Sequence, residues 1–103
     1  MKIKIFASAE RDIADGCDFY QEIDPSLAMY FQDSISADID SLMLYAGIHA
    51  TVDGWHYTFA SRFPFVIWYG VKADSIIVYA VLDGRREPRY NARALRNRRR
   101  QAD

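Results

Sequence analysis

Residues 62–88 read RFPFVIWYGVKADSIIVYAVLDGRREP, and this stretch decides the fold because two apolar runs lie on either side of a short polar turn. Both runs are rich in β-branched and aromatic residues, which is typical of strands buried on at least one face. Only Ala73 and Asp74 separate them, so the pattern predicts an antiparallel hairpin of strands 65–72 and 75–83. Gly70, within the first strand, indicates a bulge or a close approach by another backbone.

The chain before this hairpin predicts one strand, two helices and a further strand. Residues 2–6 alternate polar and apolar side chains, and residues 56–62 do so again, as strands with one buried face do. Ser8 is predicted to cap the first helix. Asp24 followed by Pro25 predicts the start of a second helix, which Gly47 is expected to end. The two helices are expected to form a hairpin.

The resulting order, β-α-α-β-β-β, predicts a two-layer α+β fold. No helical crossover separates the later strands, so the sheet is expected to be antiparallel-rich and to pack on the α-helical hairpin. Residues 89–103 predict a short basic C-terminal helix or tail with few apolar anchors. The length of 103 residues suits a single domain spanning residues 1–103.

Composition narrows the location and the chemistry of the protein. Half of the residues are hydrophobic, which is enough to build a core, yet no apolar run approaches the roughly 20 residues of a membrane-spanning helix. The first residues predict a strand and not a secretion signal. The lone Cys17 cannot form an internal disulfide, which favours a reducing, cytoplasmic location. The spacing of His49, His56 and Cys17 fits no zinc site, and no cofactor or metal is expected.

The net charge of −1 conceals a strong division along the chain. Residues 1–60 contain ten acidic and three basic residues, a balance of −7, whereas residues 61–103 contain ten basic and four acidic residues, a balance of +6. Such asymmetry indicates an anionic partner for the second half, either nucleic acid or an acidic protein segment. The alternative is that both sets of charges only solvate helical surfaces.

The hairpin and its basic end also resemble a known family. Arg-Phe-Pro-Phe at 62–65 precedes the first apolar run, and Gly-Arg-Arg-Glu-Pro at 84–88 follows the second. These motifs and the order of elements resemble the RelE/ParE superfamily of toxins from type II toxin–antitoxin systems. The resemblance implies a cognate antitoxin as partner, with contact to operator DNA only through that antitoxin, and no membrane partner. It also implies a target, which is DNA gyrase in the ParE branch and messenger RNA on the ribosome in the RelE branch.

An antiparallel hairpin would bring its basic residues to one end of the sheet. Guanidinium groups gathered there can grip phosphates, and a nearby tyrosine can stack on a base. The predicted binding residues for nucleic acid or another target are Arg62, Arg85, Arg86, Arg89, Tyr90 and Arg93. The alternative is a solvated sheet edge on which these arginines pair with Asp83 and Glu87.

Catalysis remains an open alternative at this stage. The resemblance implies that Arg62 and Arg86 would hold the scissile phosphate of a ribonuclease, with Tyr90 near the expected aromatic position. His56 is the candidate general base by its titration range, although no carboxylate or second histidine is placed nearby in sequence. The strand before Arg62 lacks the lysines of one ribonuclease branch, which argues against catalysis. Gly-Arg-Arg-Glu-Pro after an apolar strand, with more arginines beyond it, is more similar to the ParE-like branch or to the broad group called plasmid stabilisation proteins. A non-toxic binding module and an oligomerisation protein are the remaining alternatives.

Overall fold

The computed structural model describes residues 1–85 and 88–100. In chain order the elements are β1 Lys2–Ile5, α1 Ala7–Ile23, α2 Pro25–Asp40, α3 Leu42–Tyr45, β2 Thr51–Val52, β3 Trp55–Phe59, β4 Phe65–Lys72, β5 Ser75–Asp83 and α4 Pro88–Arg100. The predicted α+β class and the helical hairpin on an antiparallel-rich sheet are confirmed. Within the described residues, none of the helices has the length and apolar content that crossing a membrane would require.

The sheet has the strand order β1-β5-β4-β3-β2. β1 runs parallel to β5, and the other pairs are antiparallel. The register of β4 and β5 shifts between Trp68, opposite Ala80, and Tyr69, opposite Val78, which leaves Tyr79 as an extra residue. A Cβ on Gly70 would lie 3.0 Å from the Tyr79 ring. The irregularity next to Gly70 confirms the predicted bulge, and the group that approaches Gly70 closely is the Tyr79 side chain and not another backbone.

The hairpin of α1 and α2 begins and ends close to the predicted positions. The Asp24 carboxylate accepts hydrogen bonds from the Ser26 amide at 2.8 Å and the Ser26 hydroxyl at 2.7 Å, and these bonds lower the pKa of Asp24. Pro25 occupies the first turn of α2, where its missing N–H costs nothing. Gly47, at φ +93, ends the helical segment as predicted.

Two local predictions about the helices are wrong. Ser8 does not cap α1, because the helix begins at Ala7 and the Ser8 hydroxyl instead donates to the Tyr79 carbonyl at 3.0 Å. The second helix is not continuous to residue 46, because it ends at Asp40 and resumes as α3 after Ser41. The Ser41 hydroxyl donates to the Asp38 carbonyl at 2.6 Å, a local bond of the kind by which serine competes with regular helix.

One face of the sheet packs on the hairpin and forms the larger core. Phe31, Ile35, Ile39 and Leu42 project from the helical side onto the sheet residues Ile67, Tyr69, Ile76, Val78 and Val81, and all are at most 3% exposed. The crossing of α1 and α2 is close, because a Cβ on Gly16 would lie 2.6 Å from two carbons of the Phe31 ring. Glycine weakens an isolated helix by about 1 kcal/mol relative to alanine. At position 16 it is nevertheless required, because a larger residue would clash with the Phe31 ring.

The opposite face of the sheet is covered by α4, which the sequence predicts only as a basic helix or tail. Ala92 and Leu95 pack on a second cluster formed by Trp55, Val66, Trp68 and Ala80. Two ion pairs fix the helix at either side. Arg98 donates to the Asp12 carboxylate at 2.8 and 2.6 Å, and Arg96 donates to the Asp53 carboxylate.

Strand β2 and the tight turn after it are absent from the sequence prediction. Asp53 and Gly54 have φ values of +54 and +86, as a two-residue type I′ hairpin between β2 and β3 requires. The predicted strand over residues 56–62 is shorter than expected, because β3 ends at Phe59. Arg62 therefore lies in the loop between β3 and β4.

Candidate functional site

The loop that carries Arg62 is fixed to α2 by hydrogen bonds. The Asp38 carboxylate accepts from the Ser61 amide at 2.9 Å and from the Ser61 hydroxyl at 2.8 Å. One residue later, the Arg62 Nη1 donates to the Tyr30 hydroxyl at 2.9 Å, and its guanidinium carbon lies 5.8 Å from the centre of the Tyr30 ring. Arg62 is exposed. Its charge is thus positioned without being neutralised by a carboxylate in these contacts, and it can bind an anion.

Phe63 anchors the same loop by packing on aromatic side chains of α1 and α2. Its ring lies 4.9 Å from the ring of Tyr20, 5.4 Å from that of Tyr30 and 5.1 Å from that of Phe31, measured between centroids. Aromatic pairs at these separations stabilise one another by about 0.5–1.5 kcal/mol beyond their buried area. The backbone under Arg62 is therefore held by the core of the hairpin.

Arg85 lies at the same end of the sheet as Arg62, as the antiparallel pairing predicts. Phe65 pairs with Asp83, and the Gly84 amide donates to the Pro64 carbonyl at 2.8 Å, so the two segments run side by side. The Arg85 guanidinium, however, contacts both oxygens of the Asp83 carboxylate, with Nε at 3.0 and 3.1 Å. These hydrogen bonds first, and the charge of Asp83 second, raise the pKa of Arg85. For Arg85 the structure therefore agrees with the alternative prediction, in which the arginine pairs with Asp83.

A groove joins Arg85 to the predicted stacking residue Tyr90. It has a volume of about 600 Å³ and lies between the end of β5 and the start of α4. Its walls are formed by Leu82, Asp83, Arg85, Tyr90, Asn91 and Ala94. Tyr90 is 55% exposed, so its ring is accessible to a partner. Arg89 and Arg93 are exposed one helical turn apart on α4, where they extend the positive surface beside the groove. Arg86, the remaining predicted residue, lies outside the described residues.

The structure separates His56 from these arginines. His56 lies near the start of β3, whereas Arg62 follows the end of that strand. A second histidine lies close to His56 in the fold, because the tight β2–β3 turn brings the His49 carbonyl within 2.8 Å of His56 Nδ1. The His56 ring also stacks on Tyr69 with centroids 5.1 Å apart. One ring nitrogen and one ring face of His56 are therefore occupied, and its role as a general base stays a prediction.

The assembled fold resembles that of a chain in the solved structures. It matches a chain described as "Chromosomal ParDE TA system from P. aeruginosa" with a TM-score of 0.74 and 22% sequence identity, covering 81% of this chain and 95% of that chain. The fold is that of a ParDE-system chain. No family model and no curated protein matches the sequence. The fold implied by the RelE/ParE resemblance is therefore confirmed by structure.

Two side chains that organise this end of the sheet were not predicted from sequence. Tyr30 lies 32 positions from Arg62, and Asp38 lies 23 positions from Ser61. Tyr30 is next to the buried stripe of α2 but outside it, and it is 44% exposed. The position of Tyr30 beside the apolar stripe of α2 is the only signal in the sequence, and it does not indicate that Tyr30 contacts Arg62.

Proposed function

We propose that this protein is the toxin component of a type II toxin–antitoxin module and that it inhibits growth by ParE-like poisoning of DNA gyrase. The observation that carries this proposal is the likeness to a ParDE-system chain across 81% of the sequence. The exposed cationic end of the sheet supports it, since Arg62 is held outward by Tyr30 and exposed arginines continue along α4. A cytoplasmic location is part of the proposal, because the target is there.

Arg62 is the side chain to which we assign target binding first. Its guanidinium is oriented by a neutral hydroxyl, so it keeps its full charge for a phosphate or carboxylate of the target. Arg85 ranks below it, because a target would have to displace Asp83. Arg89, Arg93 and Tyr90 provide a second contact surface on α4, which suits an extended partner.

The neutralising partner in this proposal is an antitoxin with an acidic, flexible segment. Such a segment would complement the balance of +6 carried by residues 61–103 and would cover Tyr90 and the groove beside it. Contact with operator DNA would then come only through the antitoxin. Binding should weaken as salt rises, because exposed charges are screened over about 8 Å at physiological ionic strength.

Induced expression in bacteria tests the toxin proposal. The chain alone should stop growth, and co-expression of the adjacent reading frame should restore it. Arg62→Ala should relieve the arrest, since a charge-assisted hydrogen bond contributes about 1.5–3 kcal/mol, or tenfold or more in affinity. Lys72→Ala is the matched control, because Lys72 is also exposed but lies at the opposite end of the β4–β5 hairpin. Normal growth with the wild-type chain, at confirmed expression, would contradict the proposal.

Two purified assays separate the target classes. DNA supercoiling by gyrase should be inhibited by the wild-type chain, whereas messenger RNA on ribosomes should stay intact. His56 lies near the start of β3 whereas Arg62 follows its end, and this separation supports that outcome over the ribonuclease alternative. Cleaved messenger RNA with unimpaired supercoiling would reverse the assignment. Binding to the antitoxin without either effect would favour a non-toxic binding module of the same fold.

A further inference from the structure

A cluster of two histidines and a tyrosine lies at the β2–β3 side of the sheet, apart from the candidate site. Tyr69 is fully buried, and its hydroxyl lies 3.0 Å from the Gly47 amide and 2.5 Å from His49 Nδ1. The ring of His56 stacks on the other side of Tyr69, and His56 Nδ1 lies 2.8 Å from the His49 carbonyl. These three hydrogen bonds, and a backbone bond from the Tyr57 amide to the Ala50 carbonyl at 3.0 Å, hold the segment between α3 and β2 against the sheet.

The donors and acceptors of this cluster can be assigned from the backbone groups. The Gly47 amide can only donate, so the Tyr69 oxygen accepts from it. The Tyr69 proton is left to donate to His49 Nδ1, which must then be an acceptor in a neutral imidazole. The His49 carbonyl can only accept, so His56 Nδ1 carries a proton. His49 is therefore neutral in this arrangement.

We propose that His49, Tyr69 and His56 form a proton-operated latch, which holds residues 47–49 on the sheet at neutral pH and releases them when His49 is protonated. A proton on His49 Nδ1 would point at the proton of the Tyr69 hydroxyl. To accept from both Gly47 and His49, the buried hydroxyl would have to leave its own proton without an acceptor. The protonated imidazole therefore fits the solvent-exposed, released segment better than the latched one.

The surroundings of His49 favour its neutral form. Tyr69 from β4 and His56 from β3 are the titratable groups in contact with it, while α3 and β2 contain no charged residue. Asp53, the first charged residue after β2, is bonded to Arg96. Burial first and the charge of His56 second lower the pKa of His49 from its usual 6.5. The latch is thus complete above the pKa of the released histidine and weakens as pH falls below it.

The released segment adjoins an exposed apolar surface. Leu44 and Ile48 are 81% and 74% exposed, and Met43 and Tyr45 are about half exposed. Gly47 and His49 flank Ile48, so the two bonds to Tyr69 fix its direction. Acidification would therefore change how this apolar surface is presented, independently of the cationic end of the sheet.

Amide hydrogen exchange followed by NMR on the full chain tests the latch. The protection factor of the Gly47 amide, corrected for the intrinsic effect of pH, should fall by up to about tenfold per pH unit between the two pKa values of His49. A parallel NMR titration of the His49 ring should show its midpoint below that of an exposed histidine. Gly47 protection that is constant between about pH 7.5 and about pH 5, a range that spans histidine titration, would overturn the proposal.

Three variants separate the latch from general acid instability. His49→Asn keeps an acceptor for the Tyr69 hydroxyl without a titrating group, so Gly47 should stay protected at low pH. Tyr69→Phe removes the hydroxyl, so Gly47 should be poorly protected at every pH. His56→Asn keeps a donor for the His49 carbonyl, so the pH dependence should persist with a raised midpoint. A pH-dependent loss in His49→Asn equal to that of the wild type would overturn the proposal, even if Tyr69→Phe failed to fold.

Discussion

The two faces of the sheet are held by different forces. The hairpin of α1 and α2 covers its face with large apolar side chains such as Phe31, Ile35 and Ile39, all nearly inaccessible to solvent. On the other face, α4 contributes Ala92 and Leu95 and is tied by arginines to Asp12 and Asp53. Apolar burial responds little to moderate salt, whereas salt screens an ion pair as exposed as Arg96–Asp53 and screens the largely buried Arg98–Asp12 pair much less. The comparison therefore predicts one firmly held layer and one layer whose attachment depends on charge.

Phe31→Ala should have the largest effect, because it removes a ring from the centre of the hairpin face. We expect a loss of about 3–5 kcal/mol in the free energy of unfolding, the usual cost of emptying a buried aromatic site. Urea unfolding followed by the fluorescence of Trp55 and Trp68 measures it. Phe19→Ala is the control, since Phe19 is 58% exposed and its removal should change stability by about 0.5 kcal/mol or less. Equal effects would mean that the hairpin face is not the dominant core.

Asp12→Asn tests the buried attachment of α4. Asp12 is 9% exposed, and its carboxylate accepts from the Val81 amide at 2.9 Å as well as from Arg98. Asparagine can still accept from Val81, but its amide and lost charge no longer suit the guanidinium. We expect a loss of about 2–3 kcal/mol in unfolding free energy, because a buried charge partner is removed.

A double-mutant cycle with Arg98→Met assigns this loss. If the pair is responsible, the two changes should be non-additive by at least about 1 kcal/mol, as for groups in direct contact. Additive losses would show that Asp12 stabilises β5 and α1 alone, and that α4 is attached by its apolar residues.

Gly16→Ala should destabilise the hairpin face despite the better helix propensity of alanine. Propensity favours alanine by about 1 kcal/mol, but overpacking against the Phe31 ring costs about 1–3 kcal/mol. A net loss of about 1 kcal/mol is expected from thermal or urea unfolding on these principles. Asp15→Ala, one position earlier and exposed, carries the propensity change without the clash. A stabilised Gly16→Ala protein would mean that the two helices separate easily.

Asp53→Asn should have the smallest effect and is matched to Asp12→Asn in chemistry. The side chains of Asp53 and its partner Arg96 are both nearly half exposed, so loss of this ion pair should lower the free energy of unfolding by about 1 kcal/mol or less. Asparagine also tolerates the positive φ of position 53, so the backbone turn is preserved. The loss should disappear near 1 M salt, where charges are screened within about 3 Å. A loss that is as large as at Asp12, or that ignores salt, would remove the distinction between the two attachments.

The fold could be predicted where apolar periodicity is strong. The hairpin of β4 and β5, the cap at Asp24 and the end at Gly47 all follow from local residue chemistry. β2 was missed because it has only two residues, although Asp53 and Gly54 form a recognised turn pair. The cover provided by α4 was missed because Ala92 and Leu95 are few, and the charge partners that complete its attachment are distant in sequence.

The candidate site could be predicted in position but not in detail. Antiparallel pairing correctly places Arg62 and Arg85 at one end of the sheet. The sequence allowed two interpretations of Arg85, binding to an anionic target or pairing with Asp83. Only the structure shows that it pairs with Asp83. The contact between Arg62 and Tyr30 depends on where α2 crosses the loop, which no local pattern encodes. The meeting of His49 and His56 depends in the same way on the unpredicted β2–β3 turn.

Native-state hydrogen exchange along the whole chain tests the difference between the two faces most directly. At low salt and again near 0.5 M, where the Debye length falls below about 5 Å, the opening free energy of each protected amide is measured. Amides of α4 should open at lower free energy than those of α2 and β4, and the α4 values should fall further as salt rises. Equal opening free energies with the same response to salt on both faces would contradict the account.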